Sequence, residues 1–199
     1  MNSGSVITVG EALIDRLGPL GGDPSCDLPV TDCYGGAPAN VACALSRLGV
    51  SVSFFGCLGN DAYGENLNNL LIKRGINTHG LQKDNLRPTR VVLVRRDSNG
   101  DRSFEGFAGD KGLGFADQAI LREKIIRDWP FVEEKAKWLI AGTIPLASEI
   151  SSKAFLWCLE KAFQEKIKIA MDLNWRPTFW QDNSSTVREP SNKEKNQIL

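Results

Sequence analysis

Short β-branched runs alternate along this chain with longer stretches in which apolar residues recur every three or four positions. Val6–Val9 reads as a strand that ends at Gly10, and Val41, Ala44, Leu45 and Leu48 mark a helix from Ala39 to Leu48 that Gly49 stops. Val52–Phe55 reads as a second strand, followed by a helix from Ala62 to Arg74 carried by Tyr63, Leu67, Leu70 and Leu71, with Gly75 at its end. Val91–Val94 and Arg102–Phe107 flank Ser98-Asn99-Gly100-Asp101, and Asn-Gly between two strand-like runs predicts a hairpin. Helical spacing returns at Leu121, Ile125 and Trp129; a strand at Lys137–Ala141, a helix at Ile150–Gln164 and a strand at Ile167–Asp172 follow.

Strands alternating with helices predict an α/β fold with a mostly parallel sheet covered on both faces. The hairpin breaks that rhythm and is expected outside the main sheet, as a flap. Ligands of such sheets bind beyond the carboxyl ends of the strands, which points to Gly10–Asp15, Gly56–Asp61 and Asp172–Arg176. From Gln181 to Leu199 the only large apolar residues are Val187, Ile198 and Leu199, so residues 181–199 are expected to form a polar, disordered tail.

Composition narrows the class of partner. The chain has 24 basic and 24 acidic residues and a formal net charge of zero, with no basic patch to attract nucleic acid or a membrane surface. A neutral ligand such as a sugar fits this balance. The five cysteines form no C-x-x-C pair, which argues against a disulfide framework or zinc knuckle and fits a reducing compartment. The single histidine, His79, excludes H-E-x-x-H zinc chemistry and is expected in an exposed loop; no metal site is expected in this chain. The first residues lack a signal-peptide pattern and no run of about 18 apolar residues occurs, so the expected location is the cytoplasm.

Gly35-Gly36-Ala37-Pro38-Ala39-Asn40 lies just before the first helix. Two glycines let a backbone approach a ligand, free amides at a helix start favour polar groups, and an asparagine both donates and accepts. Taken alone, the stretch reads equally as a tight turn and a helix start. The chain has no G-x-G-x-x-G, no Gly-Lys dipeptide and no G-x-S-x-G, so a dinucleotide fingerprint, a Walker A loop and a nucleophile elbow are all unsupported.

The order of these motifs is more specific than any one of them. Gly35-Gly36, Asn40, Gly49 and Gly59 fall at the spacing of the first signature of the PfkB, or ribokinase-like, carbohydrate kinases. Glu11-Ala12-Leu13-Ile14-Asp15 resembles that family's opening strand, and Leu58-Gly59-Asn60-Asp61-Ala62-Tyr63-Gly64 resembles its L-G-x-D-x-x-G element. Asp172-x-Asn174-x-Arg176, followed by Trp180, resembles the D-x-N-x-R-x-x-x-W of fructokinase-like members. The resemblance covers Val6 to about Trp180. It implies a three-layer α-β-α ribokinase-like domain over residues 1–180, with the hairpin, at about 89–108, as a lid.

The resemblance also implies roles. Asp15 would accept hydrogen bonds from sugar hydroxyls, Gly35 and Gly36 would let backbone pack against the sugar, and Asn40 would bind a further hydroxyl. Asp172, Asn174 and Arg176 would face the phosphates, and Phe104 and Phe107 are candidate lid residues over the sugar. ATP and Mg2+ are the family's co-substrate and metal, and its lids often pair between subunits, which implies a homodimer. Plant-type fructokinases usually carry an arginine just after the hairpin, where this chain has Gly109-Asp110-Lys111-Gly112 with Lys111 as the nearest cation, a departure from the fructose-specific pattern. The family's later N-x-x-E and G-A-G-D elements, which hold magnesium, the anion hole and the catalytic base, do not occur in the 199 residues. The C-terminal part of the fold is therefore expected to be missing, and phosphoryl transfer by this chain to be absent or impaired.

Overall fold

The computed structural model describes residues 5–131, 136–173, 175 and 177–180. Asn174, Arg176 and the tail from residue 181 lie outside the described residues. The chain order is β1 (Ser5–Val9), β2 (Leu13–Leu20), β3 (Thr31–Gly35), α1 (Ala37–Arg47), β4 (Val52–Gly59), α2 (Ala62–Lys73), β5 (Leu81–Asp84), β6 (Val91–Arg96), β7 (Arg102–Ala108), α3 (Arg122–Asp128), β8 (Ala136–Gly142), α4 (Glu149–Gln164) and β9 (Lys168–Asp172).

Five strands form a parallel sheet in the order β5-β4-β1-β8-β9. Every residue of β4 is buried, as expected of a central strand covered on both faces. Its alternation divides the core: Phe54 and Leu58 pack with Ala39 and Ala42 of α1 and Leu67 and Leu71 of α2. Phe55 and Cys57 turn the other way, into a cluster with Ile125 of α3 and Ala154, Phe155 and Cys158 of α4. The result is three layers with the sheet in the middle. The predicted helical spacing at Ile125 and Trp129 is borne out by burial of both, with the Trp129 ring stacked on Phe55 at 5.8 Å. No helix of the described residues is long and apolar enough to cross a membrane.

The predicted hairpin exists as β6 and β7, and it is one half of a second sheet of four strands in the order β3-β2-β6-β7. The sequence pattern concealed β2 and β3. Leu13–Leu20 contains Gly18 and Pro19, and four of the five residues of Thr31–Gly35 are exposed, so neither shows a clean alternation. β2 pairs parallel with β6 and antiparallel with β3, which welds the hairpin to the chain leaving β1. Arg16 of β2 forms paired hydrogen bonds to Asp32 of β3, each 2.8 Å, and donates to the Tyr63 hydroxyl of α2 at 2.7 Å. The second sheet is thereby tied to the helical layer.

Beneath this sheet the Arg90 guanidinium is almost fully buried and bonded to both oxygens of Asp117, at 2.7 and 2.8 Å. Three phenyl rings, Phe107, Phe115 and Phe179, surround it at 4.5–4.7 Å. Removing one partner of such a pair leaves a buried charge unpaired, at a cost of about 3–5 kcal/mol. Asp117→Ala is therefore expected to lower the urea unfolding free energy by that amount. Lys153→Ala, which breaks the exposed Lys153–Glu149 pair, should change it by less than about 0.5 kcal/mol. Equal effects of the two substitutions would contradict the assignment of Arg90–Asp117 as a structural anchor.

Candidate functional site

The site forms where the chain changes sheets. It leaves the five-stranded sheet at Gly10, passes through Glu11 and Ala12, and enters the four-stranded sheet at Leu13. β3 then returns antiparallel to β2, pairing Gly35 with Leu13 and Cys33 with Asp15, and delivers the chain to α1 beside the carboxyl end of β1. Two glycines make this return possible. A Cβ on Gly35 would collide with the Asp15 carboxylate, and Gly36 has φ +99° with its missing Cβ 2.5 Å from the Glu11 carbonyl oxygen. Pro38 in the first turn of α1 costs no helical hydrogen bond.

Asp15, Gly36 and Asn40 line one cavity of about 180 Å³, together with Glu11 and Ala37. Its apolar wall includes Phe104 and Phe179. Neither the Asp15 carboxylate nor the Asn40 amide has a hydrogen-bond partner among the described residues, although Asp15 is only half-exposed. Burial raises the Asp15 carboxyl above its ordinary value, an effect partly offset by the Arg102 charge. Gly35 lies behind Asp15, outside the cavity wall, so its part is to seat the carboxylate.

The remaining predicted residues fall elsewhere. Asp172 ends β9 exposed and lines a small neighbouring cavity of about 20 Å³ with Pro38 and Gly142; Ala37 belongs to both walls. Phe107 does not line the Asp15–Asn40 cavity and joins the Arg90 cage instead, with its ring 5.5 Å from Phe115 and 5.0 Å from Phe179. His79 is half-exposed and lies beside Asp128 and Phe131, away from the cavity. Asn174 and Arg176, the other phosphate-side candidates, lie outside the described residues.

A larger cavity of about 540 Å³ lies across Phe179, which lines both. Several of its polar groups are already paired within the protein: Arg90 with Asp117, Arg87 with Asp84 and the Leu113 carbonyl, Gln118 with the Phe115 amide. The smaller cavity is the stronger candidate because its Asp15 and Asn40 side chains have no hydrogen-bond partner among the described residues.

Sequence reading passed over Glu11 except as part of a motif. The residue is 2% exposed and accepts a hydrogen bond from the first amide of α1, Ala37 N–H, at 3.0 Å through Oε1. Oε2 is buried with no partner among the described residues. Burial, reinforced by the nearby Asp117 charge, pushes its carboxyl from an ordinary 4.5 up to about 7, against the opposing pull of its own backbone amide, the Ala37 amide and Arg90. A carboxylate directly after a buried strand was the available signal.

A family model described as pfkB family carbohydrate kinase matches residues 3–193. The chain is 30% identical over 182 residues to a fructokinase of Vibrio alginolyticus, a match that covers 90% of this chain and 53% of that protein. Among solved structures it is similar to an uncharacterized sugar kinase from Pyrococcus horikoshii in complex with ATP, with a TM-score of 0.76 and 33% identity over 88% of this chain and 55% of that one. It is also similar to a fructokinase from Xylella fastidiosa, with a TM-score of 0.75 and 30% identity over 91% and 56% of the two chains. The chain spans about half the length of the relatives it matches.

Glu11 makes stability depend on pH in a defined direction. The unfolded carboxyl ionises near 4.5 and the folded one near 7, so the folded state holds the extra proton between those values. Stability contributed by this group is full below the lower value, falls as pH rises through the window, and is lost above it, at a cost of about 3 kcal/mol. Glu11→Gln keeps the acceptor for Ala37 and cannot ionise. Urea titrations from pH 5 to 8 should therefore show a decline in the parent chain that flattens in Glu11→Gln; parallel curves would exclude this origin.

Proposed function

The chain belongs to the pfkB family of carbohydrate kinases, and on that footing we propose that it carries the sugar-holding half of an ATP-dependent kinase for a small sugar, with fructose as the first candidate. The observation that carries this reading is the convergence of Asp15, Gly36 and Asn40 on one cavity in which the Asp15 and Asn40 side chains have no hydrogen-bond partner among the described residues. A polyol offers several hydroxyls in a fixed geometry. The Asp15 carboxylate accepts from one, the Asn40 amide accepts from or donates to another, and the bare backbone at Gly36 admits the ring. Phe104 and Phe179 cover its apolar C–H edge. Unpaired polar groups of this kind discriminate strongly against a look-alike lacking a hydroxyl.

The phosphate side lies at the end of β9. Asp172 stands there, and Arg176 is assigned the task of balancing charge on the transferred phosphoryl group. ATP is the co-substrate of this reading. Magnesium would arrive with the nucleotide: among the described residues no group of three or more His, Cys, Asp or Glu side chains is placed to hold a metal, and no step is assigned to it. A second reading is a sugar-binding protein that keeps the kinase architecture without turnover; it uses the same cavity and differs only in lacking phosphoryl transfer.

Two measurements separate these readings. Calorimetric titration with fructose should detect binding that weakens at least about 100-fold in Asp15→Ala, the scale expected when a buried charge-assisted hydrogen bond is lost. Unchanged binding in that variant would remove Asp15 from the site. A coupled assay on the pure chain then divides them: sugar-dependent ADP release well above background supports the kinase reading, and fructose binding without such release supports the non-catalytic one.

A further inference from the structure

Glu11 is the group in the cavity wall whose bonding capacity the sugar site has not used. One carboxyl oxygen is spent on Ala37 N–H; the other is buried and unpartnered among the described residues, in a residue only 2% exposed that lines the same cavity as Asp15 and Asn40. Buried polar atoms are paired in the great majority of cases, and an orphan acceptor costs free energy unless something outside the chain completes it. Its direction is given by its neighbours. A Cβ built on Gly142, the last residue of β8, would lie 3.9 Å from Oε2. Gly142 and Asp172 share the small adjoining cavity. The free oxygen therefore faces the strand ends where the phosphate side of the site has been assigned.

We propose that the free oxygen of Glu11 is a third hydroxyl-binding group of the cavity, taking the sugar hydroxyl that lies toward the ends of β8 and β9. This rests on the assignment of the cavity as a sugar site. It adds a recognition group, and it gives sugar binding a proton signature. The charged neighbours of Glu11 are Asp117, which opposes its ionisation, and Arg90, which favours it; its own backbone amide and that of Ala37 also favour the carboxylate. Asp15 shares the cavity and is itself raised by burial. A hydroxyl donating to Oε2 stabilises the charged form of Glu11 and draws its ionisation below neutrality. The carboxyl O–H bond breaks, the proton passes to buffer, and the sugar O–H stays intact as a hydrogen-bond donor.

The test is calorimetric titration of fructose into the full chain at pH 7 in two buffers of different ionisation enthalpy, phosphate and Tris. The parent chain should release up to about half a proton per sugar bound, since Glu11 is near half-ionised at that pH. Glu11→Gln should bind about tenfold more weakly with a heat independent of buffer, and Asp15→Ala should not bind measurably. Binding by the parent with no proton release, or release that persists in Glu11→Gln, overturns the role of Glu11 and leaves the sugar site standing. No binding by the parent overturns the sugar site and the role of Glu11 with it. Should Glu11→Gln not fold, the parent's affinity from pH 5.5 to 8 decides: a rise of several-fold centred near pH 7 supports the proposal, and a flat profile rejects it.

Discussion

The contact between the Glu11 carboxylate and the first amide of α1 holds the site together. It joins three things that the sequence keeps apart: the end of β1, the return of β3 and the start of the helix that carries Asn40. A helix amino end favours a negative charge, and here the interaction is strengthened by exclusion of water. That exclusion also penalises the charge itself, which is why the carboxyl sits near neutrality in its ionisation. Gly36 is the steric counterpart, because any side chain there would run into the Glu11 carbonyl and push α1 away from β1. Electrostatics and packing thus fix the same angle from two sides.

The second sheet is held by different means. Its inner face buries Leu13, Leu17, Val92 and Val94 with Phe107 and Phe179 packed against them, and the Arg90–Asp117 pair supports it from below. Buried ion pairs add less to stability than their Coulomb energy suggests, since desolvation consumes most of the gain. Their strength is in discriminating one arrangement from another. With three rings around the guanidinium and both carboxylate oxygens engaged, Arg90 has a single well-satisfied position. Phe179, shared between this cage and the cavity wall, carries that rigidity to the site.

Much of this was legible from residue order. β4, α1, α2 and α4 announced themselves because a covered parallel strand is continuously apolar and a covering helix is apolar on one stripe. Asp15, Gly36 and Asn40 were legible through motif spacing, and they meet. β2, β3 and β5 were not. β5 is four residues long, Leu81–Asp84, and its one fully buried side chain is Gln82, held by paired hydrogen bonds to the backbone of Leu121. A buried glutamine reads as surface until its partner is known. Glu11 was hidden for the same reason: composition counts a glutamate as solvent-facing, and only the fold reveals that both its neighbours and its burial come from segments over 20 residues away, Ala37 among them.

The two cavities on either side of Phe179 show why size is a poor guide to where a ligand binds. The larger one has charged residues in its wall, but Arg90, Arg87, Gln118 and Asp110 are each engaged by the protein itself. A ligand entering there would have to break those bonds to form its own, and the exchange gains little. The smaller cavity holds the Asp15 and Asn40 side chains and one buried oxygen of Glu11, none of which has a hydrogen-bond partner among the described residues. There a hydroxylated ligand gives up its hydrogen bonds to water and receives others in return, while the protein recovers what it lost on folding. Unspent bonding capacity, more than volume, therefore identifies the place in this fold where binding a sugar would be favourable.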